Sequence, residues 1–396
     1  MRRPGTIRIM VLALVLGASR CTTSAFVQCV NLPSKPRASK LSMSFFSDLA
    51  ANLQRGYSTN ASSQFYTVGV TGASGLLGSS LIDELCKQKA VNGKPVRIVK
   101  LSRSDNIEPK TLGEERITTL SWNPKATSPE EVVDPVALNE IDALIHLAGE
   151  NVATGLGPLG FLGIRPWTDE KKAEILDSRV HSTKALAKAI AICKTPTDFM
   201  VASGVGVYGD NFIGEGMPPA DETMDVSATG GFLAQVSREW EAASKGAGNN
   251  RVVNFRMGVI LSKKGGALAK LFPIFFLGGG GNVGSGNQYF SFISARDAAR
   301  ALVHTLSTPS IKGPVNICAP NPCTNAEFTS ALGKVLGRPT ILPFPGFAVS
   351  LLFGEMGEEM LLGGVRVVPA KLSQSGFEFE HPTIEEALKS AMDETI

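Results

Sequence analysis

Three glycines within eight residues constrain this chain more than any other feature of it. Thr71-Gly72-Ala73-Ser74-Gly75-Leu76-Leu77-Gly78 joins a short apolar run, 65–70 (FYTVGV), to a segment with apolar groups at helical spacing, 76–90. A strand that passes at once into a helix takes its backbone through a tight bend, and glycine alone tolerates both the dihedral angles and the crowding there. The pattern predicts a buried strand, a turn, and a helix whose first amides and positive dipole end face outward. Such a turn is a ready seat for a diphosphate, and its place between strand and helix gives it more weight than an isolated glycine triplet. The alternative is a glycine turn without a ligand.

The alternation continues. Residues 96–101, 117–122, 142–147, 198–203 and 251–256 read as further strands, and 168–193 and 231–245 as helices, with Thr168 placed to cap the first of these. Strands separated by helices predict an α/β fold: a doubly wound parallel sheet of Rossmann type, over 64–338. Pro343 and Pro345 follow a helix near 325–336 and set off a small C-terminal domain, 339–396, in which 346–353 (GFAVSLLF) reads as core.

The end of the second strand distinguishes the two nicotinamide dinucleotides. An NAD site usually carries an acid there for the ribose hydroxyls, whereas an NADP site carries a cation for the 2′-phosphate. This chain has Leu101-Ser102-Arg103-Ser104, and a guanidinium at Arg103 pairs well with a phosphate. That reading favours NADP, while Asp105 just beyond leaves NAD open.

Composition excludes other classes. The formal charge is +3, but residues 1–47 hold seven Lys or Arg and no Asp or Glu; +3 less +7 leaves −4 for the remainder, which argues against a nucleic-acid footprint. The six cysteines (21, 29, 86, 193, 318, 323) form no CxxC pair and the histidines are isolated, so neither a metal site nor a disulfide framework is expected. No later run is long enough for a membrane span; 272–281 is short and broken by glycines. The start, Met1-Arg2-Arg3, then 9–17 (IMVLALVLG), then a basic, hydroxylated and nearly acid-free stretch to Gln64, resembles the two-part plastid presequence of algae with secondary plastids, with a Ser24-Ala25-Phe26 junction. A targeting presequence is expected over 1–63, with secretion or a mitochondrial leader as alternatives.

Several motifs in order carry a family resemblance. TGASGLLG, His146 to Asn151 (HLAGEN), Ser203 within ASGVGVYGD, and RMGVIL together resemble an extended short-chain dehydrogenase/reductase. Arg165-Pro166-Trp167, Asp177-Ser178-Arg179, the Leu233 to Glu241 stretch and 313–328 narrow the resemblance to an atypical branch, epimerase-family proteins with a small C-terminal domain of unknown function, which 369–388 is similar to. The resemblance covers about residues 65–391. It implies that Gly72, Ser74, Gly75, Leu76, Leu77 and Gly78 form the phosphate loop, that Arg103 meets the adenosine phosphate, and that Leu147, Ala148 and Gly149 lie along the cofactor. It further implies that Ser203 faces the nicotinamide, that Met257 and Gly258 form the strand-six turn, and that Arg165 and Trp167 line the cleft. Plastid and cyanobacterial members have been linked to organelle or cell division, which adds a protein partner in plastid division to the expected small-molecule substrate.

One departure is serious. Short-chain dehydrogenases act through YxxxK, in which the Lys lowers the Tyr pKa. The residues four beyond Tyr57, Tyr66, Tyr208 and Tyr289 are Ala61, Val70, Phe212 and Ile293, so the motif is missing, and Leu233 and Ser237 stand about where its two members belong. Three readings stay open: a reductase or epimerase with Tyr208 and Ser203 as catalytic residues and Arg179 or Arg238 assisting; a cofactor-sensing regulator; and a fold in which the dinucleotide is structural. His146, mid-strand in an apolar run, reads as a hydrogen-bonded core histidine rather than a base. The loop 278–293 (GGGGNVGSGNQYFSFI) reads as a second cleft wall or a lid, with Asn282, Gln288 and Tyr289 as substrate contacts.

Overall fold

Apolar runs of strand length alternating with amphipathic helices give the expected sheet. In a computed structural model that describes residues 64–103, 115–153, 166–209 and 218–394, seven strands form it: β1 (Tyr66–Thr71), β2 (Val96–Ser102), β3 (Ile117–Ser121), β4 (Ala143–His146), β5 (Asp198–Gly204), β6 (Val252–Met257) and β7 (Gly313–Ile317). Their order is β7-β6-β5-β4-β1-β2-β3 and every pairing is parallel. Strand order reverses between β1 and β4, and the crevice outside the carboxyl ends of strands at such a reversal is where ligands of doubly wound sheets bind. The expected presequence, Ser104, Asp105 and Arg165 lie outside the described residues.

Side chains of a strand alternate between faces, so the core is double. Val68, Val70, Ile98 and Phe255 pack on one face against α1 (Leu76–Lys87) and α5 (Ala295–Ser307). Val99, Leu101, Leu144, Phe199 and Val201 pack on the other against α2 (Asp169–Ala191) and Trp240 of α3 (Phe232–Ser244). All six residues of β1 are buried, because helices cover both faces at the centre of the sheet. Thr168 caps α2 by accepting from the Lys171 amide at 3.2 Å.

The C-terminal segment, read in the sequence as a small domain of its own, packs against the sheet domain. Leu372 and Phe377 join the core that contains α1. Helix α8 (Ile384–Asp393) packs with Leu268 and Phe275 of α4 (Gly266–Phe276) and Phe328 and Leu332 of α6 (Asn325–Leu336). Val365 and Val367 pack against Val207 and Tyr208. A segment of this length buries too little apolar surface alone and completes its core on the sheet domain. Helix α7 (Gly346–Gly357) is core along one face only: Val349 and Phe353 are buried, whereas Phe347 and Leu351 are 77% and 82% exposed. Among the described residues no helix is long and apolar enough to cross a membrane.

Candidate functional site

The glycine turn lies at the carboxyl end of β1. Gly72 has φ +66°, and a Cβ there would stand 2.9 Å from the Ala148 nitrogen and the Leu147 carbonyl carbon. Gly78, on the first turn of α1, comes so close to the turn that a Cβ would lie 2.1 Å from the Gly72 oxygen. Gly75 is the N-cap residue of α1 and offers no side chain to the amides that follow, and no acid stands in the first turn. The free N–H groups of Leu76, Leu77 and Gly78 and the positive helix end therefore face the crevice, with Ser74 and Gly75 exposed at the apex. A turn with no room for a Cβ at Gly72 or Gly78, ending in helix amides, fits a dinucleotide diphosphate. The side chain of Leu77 itself is core.

The neighbouring turn is held in place by Thr71. Its hydroxyl accepts from the Leu147 and Ala148 amides at 3.1 and 3.2 Å and stands 2.7 Å from His146 Nδ1. With two amides donating to it, the hydroxyl gives its own proton to Nδ1, so His146 carries its proton on Nε2 and donates to Ser182 Oγ at 3.1 Å. Ser182 in turn donates to the Ser178 carbonyl at 2.6 Å. Burial lowers the His146 pKa from 6.5 to about 3, helped by the charge of Arg179, so the imidazole is neutral and structural, as its apolar strand suggested. Gly149 ends the turn against the Arg179 guanidinium, which lies over the Trp240 ring at 4.9 Å and has its pKa lowered to about 10, chiefly by burial and against the pull of Glu150. Arg103 follows β2 directly and is exposed, two positions beyond Leu101, the register partner of Thr71. Met257 ends β6, and the Gly258 amide after it donates to the Ile317 carbonyl at 2.9 Å.

Ser203 and Tyr208 belong to one enclosed network. Ser203 Oγ donates to Glu241 Oε1 at 3.0 Å. Glu241 receives Arg256 in a fork, Nε to Oε1 at 2.8 Å and Nη2 to Oε2 at 3.0 Å. Arg256 Nη1 donates to the Tyr208 hydroxyl at 3.0 Å, and that hydroxyl lies 2.8 Å from Asn316 Oδ1 and 2.9 Å from the Asp221 carbonyl. Tyr208 is fully buried, and burial pushes its pKa up to about 12 against the pull of Arg256. The expectation that Tyr208 delivers a proton to a substrate is thereby corrected: its proton is held by internal acceptors and its affinity for it is raised. The expected helpers are elsewhere too. Arg238 donates to the Thr229 carbonyl and Arg179 to the Ile175 carbonyl, and the cation beside Tyr208 is Arg256.

A pocket of about 190 Å³ opens beyond the ends of β5 and β6, with Val205, Gly206, Leu233, Val259, Tyr289 and Glu359 in its wall. Leu233 and Ser237 do occupy the helix face toward β5: a Cβ on Gly206 would lie 3.2 Å from Leu233 Cβ, and one on Gly204 3.6 Å from Ser237 Oγ.

The family model described as "NAD dependent epimerase/dehydratase family" matches residues 68–318. The chain belongs to this family. A second description, "Domain of unknown function (DUF1731)", matches residues 344–391. Epimerase family protein MT2273 of Mycobacterium tuberculosis is 39% identical over 325 residues, 81% of this chain and 96% of that protein. The chloroplastic SDR39U1 homolog of Arabidopsis thaliana is 33% identical over 332 residues, 82% of this chain and 86% of that protein. Among solved structures, human epimerase family protein SDR39U1 (isoform 2) with NADPH superposes with a TM-score of 0.66 at 31% identity, covering 83% of this chain and 99% of that one.

Three features of this epimerase/dehydratase member escape a reading of its sequence. Glu241 looks like one more helix acid, yet it holds both Ser203 and Arg256. Glu359 accepts the Phe232 and Leu233 amides at 2.6 and 2.8 Å and so caps α3 from 127 and 126 residues away. The one local hint is that Gly230-Gly231 precedes α3 without a capping side chain. Within the loop 278–293, Gly281 accommodates the protein's own backbone: a Cβ there would lie 1.9 Å from the Leu342 oxygen. Gln288 bonds the Val283 and Leu361 carbonyls, the Asn282 carbonyl receives the Phe344 amide, and Trp167 meets Phe232 edge to face at 5.0 Å.

Proposed function

We propose that the chain binds NADP(H) in the crevice at β1 and β4 and exchanges hydride with a carbonyl compound in the pocket beyond β5 and β6. The cradle around Gly72 and Gly78 carries this reading, because no Cβ fits at either position and a diphosphate fits the turn they form. The α1 amides would hold the diphosphate, Arg103 the 2′-phosphate, and the turn Leu147 to Gly149, pinned by Thr71, would lie along the dinucleotide. When bound, the nicotinamide supplies or accepts the hydride. Of the hydroxyls among the described residues of the pocket wall, that of Ser291 is taken up by the Val365 carbonyl and the Val367 amide, which leaves the Tyr289 phenol to exchange the proton. The NADPH in the solved human relative supports the choice of cofactor.

Titration of the protein with NADPH and NADH, followed by tryptophan fluorescence, tests the site. NADPH binds more tightly, and Arg103→Glu weakens NADPH by about 2–3 kcal/mol, the scale of a charge-assisted pair lost and reversed, while NADH changes little. Tighter NADH binding by the unaltered protein would refute the role of Arg103. A second reading, a non-catalytic sensor of NADP(H), is favoured by the apolar Leu233 where a catalytic phenol belongs. Steady-state NADPH oxidation with carbonyl substrates, lost in Tyr289→Phe, separates the two; no turnover with any of them supports the sensor. We also propose that residues 1–63 direct the chain to a plastid, a reading that the chloroplastic Arabidopsis relative supports. Import into isolated plastids with loss of the leader is the expected result, and retention of the full chain outside them would end this part of the proposal.

A further inference from the structure

We infer that the pocket beyond β5 and β6 takes an uncharged, largely apolar carbonyl compound and rejects phosphorylated ones, including nucleotide sugars. The inference rests on the reading of this pocket as the substrate site and narrows it to a chemical class.

The wall carries the argument. Val205, Leu233, Val259, Phe290, Met360 and Val365 supply apolar side chains, and glycines supply most of the rest. Among the described residues that line the pocket none is Lys, Arg or His, and the only carboxylate is Glu359. A diphosphate group brings at least one full negative charge into any pocket it enters and needs donors or cations to replace its water. Among its described residues the pocket has one ready-made seat for an anion, the amino end of α3, where Gly231 has φ +92° and no local side chain caps the helix. That seat is filled by the protein itself, since both Glu359 oxygens accept backbone amides, from Phe232 and Leu233. An incoming phosphate would have to displace this carboxylate or sit beside it, and like charges side by side in a partly enclosed pocket repel strongly.

The cations nearby among the described residues do not change the balance. Lys172 lies 5.2 Å above the Phe232 ring and is paired with Glu355. Arg366 lies 5.6 Å from the centre of the Tyr289 ring, is exposed, and is not part of the wall. Glu359 comes from the C-terminal segment, which also supplies Met360, Gly363, Gly364 and Val365, so this segment sets the charge of a pocket that it builds together with the sheet domain.

Isothermal titration of the full chain tests the inference with two probes, acetophenone and UDP-glucose, each with NADP⁺ in excess so that the glycine turn is filled. Acetophenone binds the unaltered protein, and UDP-glucose binds at least about tenfold more weakly or not at all, given the size of the repulsion. Glu359→Gln removes the charge but keeps an oxygen for the amides; it raises the affinity for UDP-glucose by roughly tenfold and shifts that for acetophenone by less than about threefold. Tighter binding of UDP-glucose than of acetophenone by the unaltered protein would overturn the inference, and so would a Glu359→Gln protein with unchanged selectivity. If the variant does not fold, the comparison of the two probes on the unaltered protein still decides. A titration with NADPH alone is read separately: its failure removes the cofactor reading, whereas failure of acetophenone to bind beside a bound cofactor removes only the substrate class.

Discussion

Replacing Gly78 by alanine is expected to lower stability by about 1–3 kcal/mol or more and to abolish measurable NADPH binding, because the added methyl group overpacks a site with no room to yield. Its Cβ would lie 2.1 Å from the Gly72 oxygen and 2.9 Å from the Ala73 Cα. Both neighbours are backbone, so neither can rotate aside, and the turn must separate from α1. That movement misplaces the amides that would meet the diphosphate, so binding suffers more than folding. Gly75→Ala is the matched control: Gly75 has φ −75°, and its Cβ would meet the Gly72 oxygen at 3.2 Å, a contact that a shift of a few tenths of an ångström relieves. Urea denaturation and nucleotide titration of the two variants check the contrast. Full NADPH affinity in folded Gly78→Ala protein would refute the proposed seat.

The second large effect concerns the buried ion pair. Glu241→Ala is expected to destabilise the protein by about 3–5 kcal/mol, the usual consequence of leaving a buried charge without its partner. Arg256 is 3% exposed, and burial opposes its charge while Glu241 more than restores it. Without the carboxylate the guanidinium keeps, among the described residues, only the Tyr208 hydroxyl, and Ser203 loses the Glu241 acceptor. Replacing both members by apolar residues of similar size, as in Glu241→Leu with Arg256→Met, is expected to recover much of the loss, since no lone charge then remains inside. Chemical denaturation of the single and double variants measures both effects. A single variant within about 1 kcal/mol of the unaltered protein would show that water or another group replaces Glu241.

Side-chain periodicity and glycine spacing made the sheet legible. The strand, turn and helix around Gly72 to Gly78 depend on residues within one turn of each other, and the structure places them as read. The core role of His146 was legible for a similar reason, since four buried residues in a row leave an imidazole no water to titrate into. The end of β2 was legible only as far as Arg103, beyond which the chain lies outside the described residues.

By itself, then, the sequence determined the doubly wound order, the glycine cradle and the missing YxxxK, all of which are set by neighbours in the chain. Tertiary structure alone decided that Tyr208 is locked to Arg256 and Asn316, that Glu241 stands behind Ser203, that Gly281 admits the backbone at Leu342, and that Glu359 caps α3. Each of these joins groups from 38 to 127 residues apart or packs two loops against each other. Such pairings follow from which surfaces the core brings together and leave no periodic trace in the chain.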